Sequence, residues 1–470
     1  MVWAGSILDA VATKKNPARA KLDELTREEL IAIIIRQGEL LADLKKQIEE
    51  LRRKAARQAS PFSKNKPKGE PKRPGRKTGQ GAFSRRPPPA EQPSDVVIQA
   101  CVPERCPVCD GELEFERMDQ ASTVDIPKKP EPVVTRYRVP VCRCRECGKS
   151  VRGQAPGLAP DQAGATAHRI GPQVMATAHE LHYGTGIPVR KVPEVLRTLT
   201  GLDVTAGAIT QNAMKRSEGP VGAAYEKLRE QIRQAPAVHA DDTGWRIGGK
   251  NAFLMGFDSD GVAVYQIRFH HRNEEVQEII PADFGGVLIT DRGVSYNAKA
   301  FHGMTQQKCL AHLLKNISMV LESKVGAARR FGVELKGLLQ EGIAMSNAPP
   351  GHGWDAEVED LEIRLTWHLR DRVLLDQDNQ RLLNGIGYEM DRDRLLTFLK
   401  VPGVEPTNNR AERMLRPAVI ARKVSHCSKN ERGAYASAAF LSVIQTARKT
   451  GPGGSSSLSA LLGRAPQVQN

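Results

Sequence analysis

A chain of 470 residues with a formal charge of +15 and 40% hydrophobic residues has room for about three domains and enough apolar material to bury their cores. No stretch approaches the roughly 18 consecutive apolar residues of a membrane helix, and Met1 to Asn16 lacks the order of a secretory signal, so a cytoplasmic protein without a membrane partner is expected. Eight cysteines in that compartment read as thiols or metal ligands, not as a disulfide framework.

Residues 1–51 form the first expected unit. Leu30, Ile34, Gln37, Leu41, Leu44, Ile48 and Leu51 recur in steps of four and three, an a/d seam of about three heptads. A coiled coil that makes a homo-oligomer fits this pattern, and so does an amphipathic helix packed on its own domain. The charge is concentrated in the next unit, residues 52–95. Between Arg52 and Ala90, thirteen Lys or Arg stand against one acid, Glu70, so +12 of the +15 sits in 39 residues and +3 remains for the rest. Seven prolines and four glycines in the same stretch predict a disordered, extended tether. A polyanion is its natural partner, because each neutralised phosphate releases counterions. Arg73, Arg76 and Lys77 resemble an arm of the kind that enters a minor groove. A solvated linker is the alternative reading.

Residues 96–155 carry Cys106-Pro107-Val108-Cys109 and Cys144-Arg145-Glu146-Cys147, two CxxC pairs separated by 34 residues. Two knuckles of this kind make a closed four-cysteine site, so Zn2+ held by Cys106, Cys109, Cys144 and Cys147 is expected, against reduced buried cysteines as the plain alternative. Residues 156–235 read as helical. Val189 to Leu199 and Val204 to Arg216 flank Thr200-Gly201-Leu202-Asp203, the form of a helix-turn-helix, which either reads DNA or serves as ordinary helical packing.

From residue 236 the pattern turns to strands. Ala237 to Ala240 leads into Asp241, Ala252 to Phe257 and Val262 to Ile267 flank the turn signal Asp258-Ser259-Asp260-Gly261, and Val287 to Thr290 ends at Asp291. Two strands thus deliver an aspartate at their carboxyl ends, where ligand sites of α/β sheets collect. Far downstream a helix starts around Thr407 and is expected to stop near Leu415, before Pro417, with Glu412 in its first turns. Carboxylates from separate elements suit two divalent metals about 4 Å apart in phosphoryl transfer. Three acids among 54 are on their own a weak signal, since strand-end aspartates also occur as solvated or capping residues.

The succession of these elements, with His239-Ala240-Asp241-Asp242-Thr243, Thr290-Asp291-Arg292-Gly293, Cys309-Leu310-Ala311-His312 and Asn408-Asn409-Arg410-Ala411-Glu412-Arg413-Met414-Leu415-Arg416-Pro417, resembles the transposases of the insertion-sequence 66 family over nearly the whole chain. The resemblance implies a multidomain α/β protein with a ribonuclease-H-like catalytic core at 236–316 and 401–450, a helical insertion at 317–400 and a tail at 451–470. The coiled coil, the zinc-binding module and the helical DNA-binding region precede that core. It implies a DDE triad of Asp241, Asp291 and Glu412 that binds Mg2+ or Mn2+, with cleavage and strand transfer at the terminal inverted repeats of the element. Arg410, Arg413 and Arg416 would face DNA phosphates or form a solvated basic face, accessory proteins of the same element are implied as partners, and a bacterial protein on the nucleoid when DNA-bound is expected. The chain departs from the family at Asp242, where glutamate is usual, and at Leu310, where an aromatic residue is usual. The competing readings are a non-catalytic DNA-binding protein with a decayed core, against which three intact acids argue, and a ribonuclease-H-like nuclease, against which the N-terminal modules argue.

Overall fold

The structure is a computed structural model that describes residues 26–57, 103–116, 132–155, 158, 162, 170–347, 350–425, 427–451 and 453–462. Most of the tether, including Arg73, Arg76 and Lys77, lies outside the described residues. Helix α1 (Arg27–Arg57) covers the heptad stretch. Ile34, Gln37, Leu41, Leu44 and Ile48 of its seam are all exposed, and the side chains of Leu30 and Leu51 lie outside the described set. Next comes a short antiparallel pair, β1 (Val141–Arg143) and β2 (Ser150–Arg152), on either side of the second CxxC turn. No described helix is long and apolar enough to cross a membrane.

Four helices then precede the main sheet: α2 (Pro172–His179, continued by one wider turn), α3 (Val192–Thr200), α4 (Ala206–Ser217) and α5 (Pro220–Arg233). Helices α3 and α4 lie on either side of the turn that begins at Thr200. Gly201 closes α3 at φ +70°, a left-handed cap, and the Thr205 hydroxyl accepts the Ala208 N–H to open α4.

The sheet has the order β5-β4-β3-β6-β7, from β3 (Ala237–Ile247), β4 (Lys250–Asp258), β5 (Ala263–Arg268), β6 (Val287–Thr290) and β7 (Gln306–Lys308). The first three strands form an antiparallel meander, and β6 and β7 run parallel to β3. Gly248 and Gly249, at φ +57° and +82°, make the tight turn between β3 and β4, the conformation that a two-residue hairpin demands. The short helix α6 (Asn273–Gln277) follows β5, and α7 (Leu310–Leu321) follows β7. Helices α8 (Gly326–Met345), α9 (Trp354–His368), α10 (Gln377–Met390) and α11 (Thr397–Lys400) come next, before the chain returns to the sheet in α12 (Asn409–Ser425), α13 (Glu431–Thr450) and α14 (Gly454–Leu462).

Alternation along the strands sorts the core into two faces. Val238, Ala240, Met255, Phe257 and Val264 pack with α2–α5, α13 and α14. Trp245, Ile247, Leu254, Tyr265 and Ile267 pack with Leu415 and Ala418 of α12 and with one side of α13. A third cluster gathers the leucines of α7–α11 and reaches the sheet through Val287 and Ile289 of β6.

Two expected element ends are corrected. Strand β3 does not stop at Asp241 but runs to Ile247, because β4 pairs with it along its whole length and overrides the poor strand propensity of Asp241, Asp242 and Gly244. Helix α12 does not stop before Pro417 but passes through it to Ser425. An interior proline costs a helix about 3 kcal/mol, and the burial of Leu415 and Ala418 against the sheet offsets that cost.

Candidate active site

Asp241 lies in the middle of β3, on the face that carries α12. The alternation fixes this face: His239 meets Asn408 at the head of α12, Thr243 accepts a hydrogen bond from Arg422, and Trp245 packs with Leu415. His239 is paired with Ile289 in the parallel register of β3 and β6, so Asp241 and Asp291 stand at the same level, two residues further on. Adjacent strands lie about 4.8 Å apart, and the charge of Asp291 acts on Asp241. The β6 pairing ends at His239 and the next backbone partner on that edge of β3 is the bridge from Ser428 to Ile247, so among the described residues no strand pairs with 240–245 there, and the side chains of Asn408 and Arg422 take the carbonyls of Ala240 and Gly244 instead.

Local hydrogen bonds hold both aspartates. Asp241 Oδ1 accepts the Asp242 N–H at 2.8 Å, and Asp291 Oδ1 accepts the Gly293 N–H at 2.7 Å. Glu412, half exposed, joins them from the first turns of α12, with His312 Nε2 3.6 Å from its Oε1. Burial pushes the Asp241 carboxyl up to about 7; the Asp242 N–H works against this, and the charges of Asp291, Asp242 and Glu412 add to it. His312, beside the Cys309 sulfur and facing Asp291 and Glu412, is raised to about 9, so it stands as an imidazolium at neutral pH.

Asp242 points to the opposite face of β3. Its carboxylate meets His271 Nδ1 at 3.2 Å, and behind it the Tyr296 ring packs edge-on against His271. Among the described residues, neither His271 Nε2 nor the buried Tyr296 hydroxyl has a hydrogen-bond partner. His271 and Tyr296 carried no sequence signal, whereas His239 and Asn408 lay inside the quoted motifs without an assigned role. His239 and Asn408 are both buried where β3 meets the start of α12.

The three arginines of α12 part company. Arg413 and Arg416 are exposed on the stripe that begins at Glu412. Arg410 instead turns inward: its Nε binds the fully buried Asp258 at 2.7 Å and its Nη1 binds Asp260 at 2.5 Å, while Lys449 grips the other oxygen of Asp258. This guanidinium braces the helix against the end of β4.

Each CxxC segment forms its own knuckle. Cys106 N–H binds Gly111 O at 3.0 Å and Asp110 N–H binds Cys106 O at 2.9 Å, and the same two bonds recur from Cys144 to Lys149 and from Gly148 to Cys144. Backbone N–H groups of the turn, those of Val108 and Cys109 in one knuckle and of Cys147 and Glu146 in the other, lower the pKa of Cys106 and Cys144. Among the described residues, however, no three His, Cys, Asp or Glu side chains are gathered closely enough to hold one metal ion. This holds for the four cysteines and for the acidic site alike. The donor chemistry still suits each metal: paired thiols at the knuckles, and at the sheet hard carboxylate oxygens with no Lys or Arg ion pair at Asp241 or Asp291 among the described residues.

No curated protein matches the chain. The family model described as Transposase IS66 family matches residues 168–436, more than half of the chain, a span that runs from α2 through Glu412 and into α13.

Proposed function

The chain belongs to the IS66 transposase family, and from that premise we propose that it cleaves DNA at the ends of its element and joins them to target DNA by phosphoryl transfer at Asp241, Asp291 and Glu412. The observation that carries this reading is the approach of two neighbouring parallel strands and one helix, each with an acid close to the point where the pairing of β3 with β6 ends. The strand order β5-β4-β3-β6-β7 supports a ribonuclease-H-like core, and the leucine cluster of α7–α11 supports a helical insertion with packing of its own.

Mg2+ or Mn2+ held by Asp241, Asp291 and Glu412 would stabilise charge on the phosphate oxygens and make water or a 3′ hydroxyl a better nucleophile. The remaining work falls to the chain. Gly293 N–H and Asp242 N–H fix one oxygen each of Asp291 and Asp241, which leaves the second oxygen of each free to act. The His312 imidazolium counters the local excess of negative charge as a DNA phosphate approaches. Arg413 and Arg416, on the same exposed stripe as Glu412, neutralise flanking phosphates and set the register of the strand.

The remaining modules fit this assignment. The α3–α4 pair reads the terminal repeats in this proposal, the basic tether with Arg73, Arg76 and Lys77 gathers DNA without sequence preference, and the exposed seam of α1 pairs subunits so that two ends are held together. The two knuckles support structural Zn2+ on Cys106, Cys109, Cys144 and Cys147, provided that the pairs close on each other when the ion binds. Accessory proteins of the element complete the set of partners.

A strand-transfer assay with labelled element ends and Mg2+ or Mn2+ tests the proposal. Asp291→Asn is expected to bind the ends and neither cleave nor join them; failure of the wild-type protein to cleave with either metal refutes catalysis and leaves a DNA-binding protein.

A further inference from the structure

We propose that Asn408 is the positioning residue that locks the three acids into one arrangement, an inference that rests on the phosphoryl-transfer reading above. Asn408 is fully buried, and three of its four polar groups lead, directly or through one further bond, to the three different acids. Its Nδ2 donates to the carbonyl of Ala240 at 2.8 Å, one residue before Asp241. Its backbone N–H donates to the Cys309 sulfur at 3.1 Å, and the Cys309 N–H donates in turn to the carbonyl of Thr290 at 2.8 Å, one residue before Asp291. Its own carbonyl accepts the Glu412 N–H at 3.2 Å, the first hydrogen bond of α12. One residue thereby ties the strand of the first acid, the strand of the second and the helix of the third.

The orientation of the amide is dictated by its neighbours. The Ala240 carbonyl only accepts, so Nδ2 must face it, and Oδ1 then faces His239 Nδ1 at 3.2 Å, which must donate. An aspartate at this position would set an oxygen against the Ala240 carbonyl, and an alanine would leave that carbonyl and the His239 N–H buried and unpaired. A second bond holds the same junction, from Leu310 N–H to Pro406 O at 3.0 Å, so the loss of Asn408 loosens the alignment without releasing the helix from the sheet. Misplacing a reacting group by about 1 Å costs on the order of 100-fold in rate.

The full-length wild type is compared with Asn408→Ala, Cys309→Ala and Cys309→Ser in three measurements: Mn2+ binding by electron paramagnetic resonance, affinity for element ends, and metal-dependent cleavage. Asn408→Ala is expected to lose on the order of 100-fold in kcat and about 10-fold in Mn2+ affinity, with DNA affinity unchanged. Cys309→Ala should shift both readouts in the same direction, and Cys309→Ser, which keeps an acceptor for the Asn408 N–H, should recover most of the loss. Wild-type kcat and Mn2+ affinity in a folded Asn408→Ala would overturn the clamp and leave the transposase reading standing. No cleavage by wild type would overturn that reading instead, and the Mn2+ comparison would still decide the clamp. If Asn408→Ala does not fold, equal values for the two Cys309 variants and wild type overturn the clamp.

Discussion

The acidic site should cost the protein stability in the absence of metal, and Asp241 gives the size of that cost. Its carboxyl is raised from 3.8 to about 7, first by burial and then by the neighbouring acids. The folded pKa lies above the unfolded one, so folding favours the protonated form. The penalty for the ionised form is therefore absent below pH 3.8, grows between pH 4 and 7, and is complete above pH 7. At about 1.36 kcal/mol per unit of pKa, the full penalty is about 4 kcal/mol. Asp241→Asn removes the charge and keeps the oxygen that accepts the Asp242 N–H, so no hydrogen bond is lost. Urea unfolding of metal-free protein, followed by tryptophan fluorescence between pH 5 and 8.5, should show the variant more stable at the alkaline end by about 4 kcal/mol, with the gap narrowing steadily toward pH 5. Added Mn2+ should close the gap from the other side, since an ion at 100 times its Kd stabilises the native protein by about 2.7 kcal/mol and the variant lacks the ligand. A stability difference that is zero, or that does not change with pH, would refute the crowding of carboxylates around Asp241.

Three other substitutions separate structural from DNA-facing groups. Arg410→Ala strands the buried Asp258 with Lys449 alone and should lower stability by about 3 kcal/mol without changing the salt dependence of DNA binding. Arg413→Ala and Arg416→Ala should do the reverse, each lowering the slope of log affinity against log salt by about 1 with unfolding unchanged. At the N-terminal knuckles, Cys106→Ser should abolish stoichiometric zinc on mass spectrometry of the native protein, and full zinc in that variant would remove the four-cysteine assignment.

The local elements around the site could be read from the sequence because local rules govern them. The turn signal Asp258-Ser259-Asp260-Gly261 does separate β4 from β5, and Thr200-Gly201-Leu202-Asp203 does separate α3 from α4. What could not be read depends on pairing across long stretches of chain. The continuation of β3 past Asp241 exists because β4 folds back along it, and the passage of α12 through Pro417 exists because the sheet receives Leu415 and Ala418. Arg410 shows the same limit on a single side chain. In sequence it is one of three similar arginines in a helical run, yet only it lies where Asp258, 152 residues earlier, can take its guanidinium.

The same contrast explains why the motif around Glu412 extends well beyond Glu412. An acid at one helical position needs only a carboxylate, whereas setting it against two acids on separate strands needs contacts at the head of the helix. Asn408 reaches the first strand directly and the second through Cys309, and Arg410, just after it, reaches the end of β4. His239 and Cys309 answer from the other side, each close in sequence to one of the aspartates or its strand partner. Residues from all four quoted motifs thus join in one set of contacts. An exchange that alters only one half, such as Cys309→Ala, should therefore reduce activity more than its modest change in volume would predict.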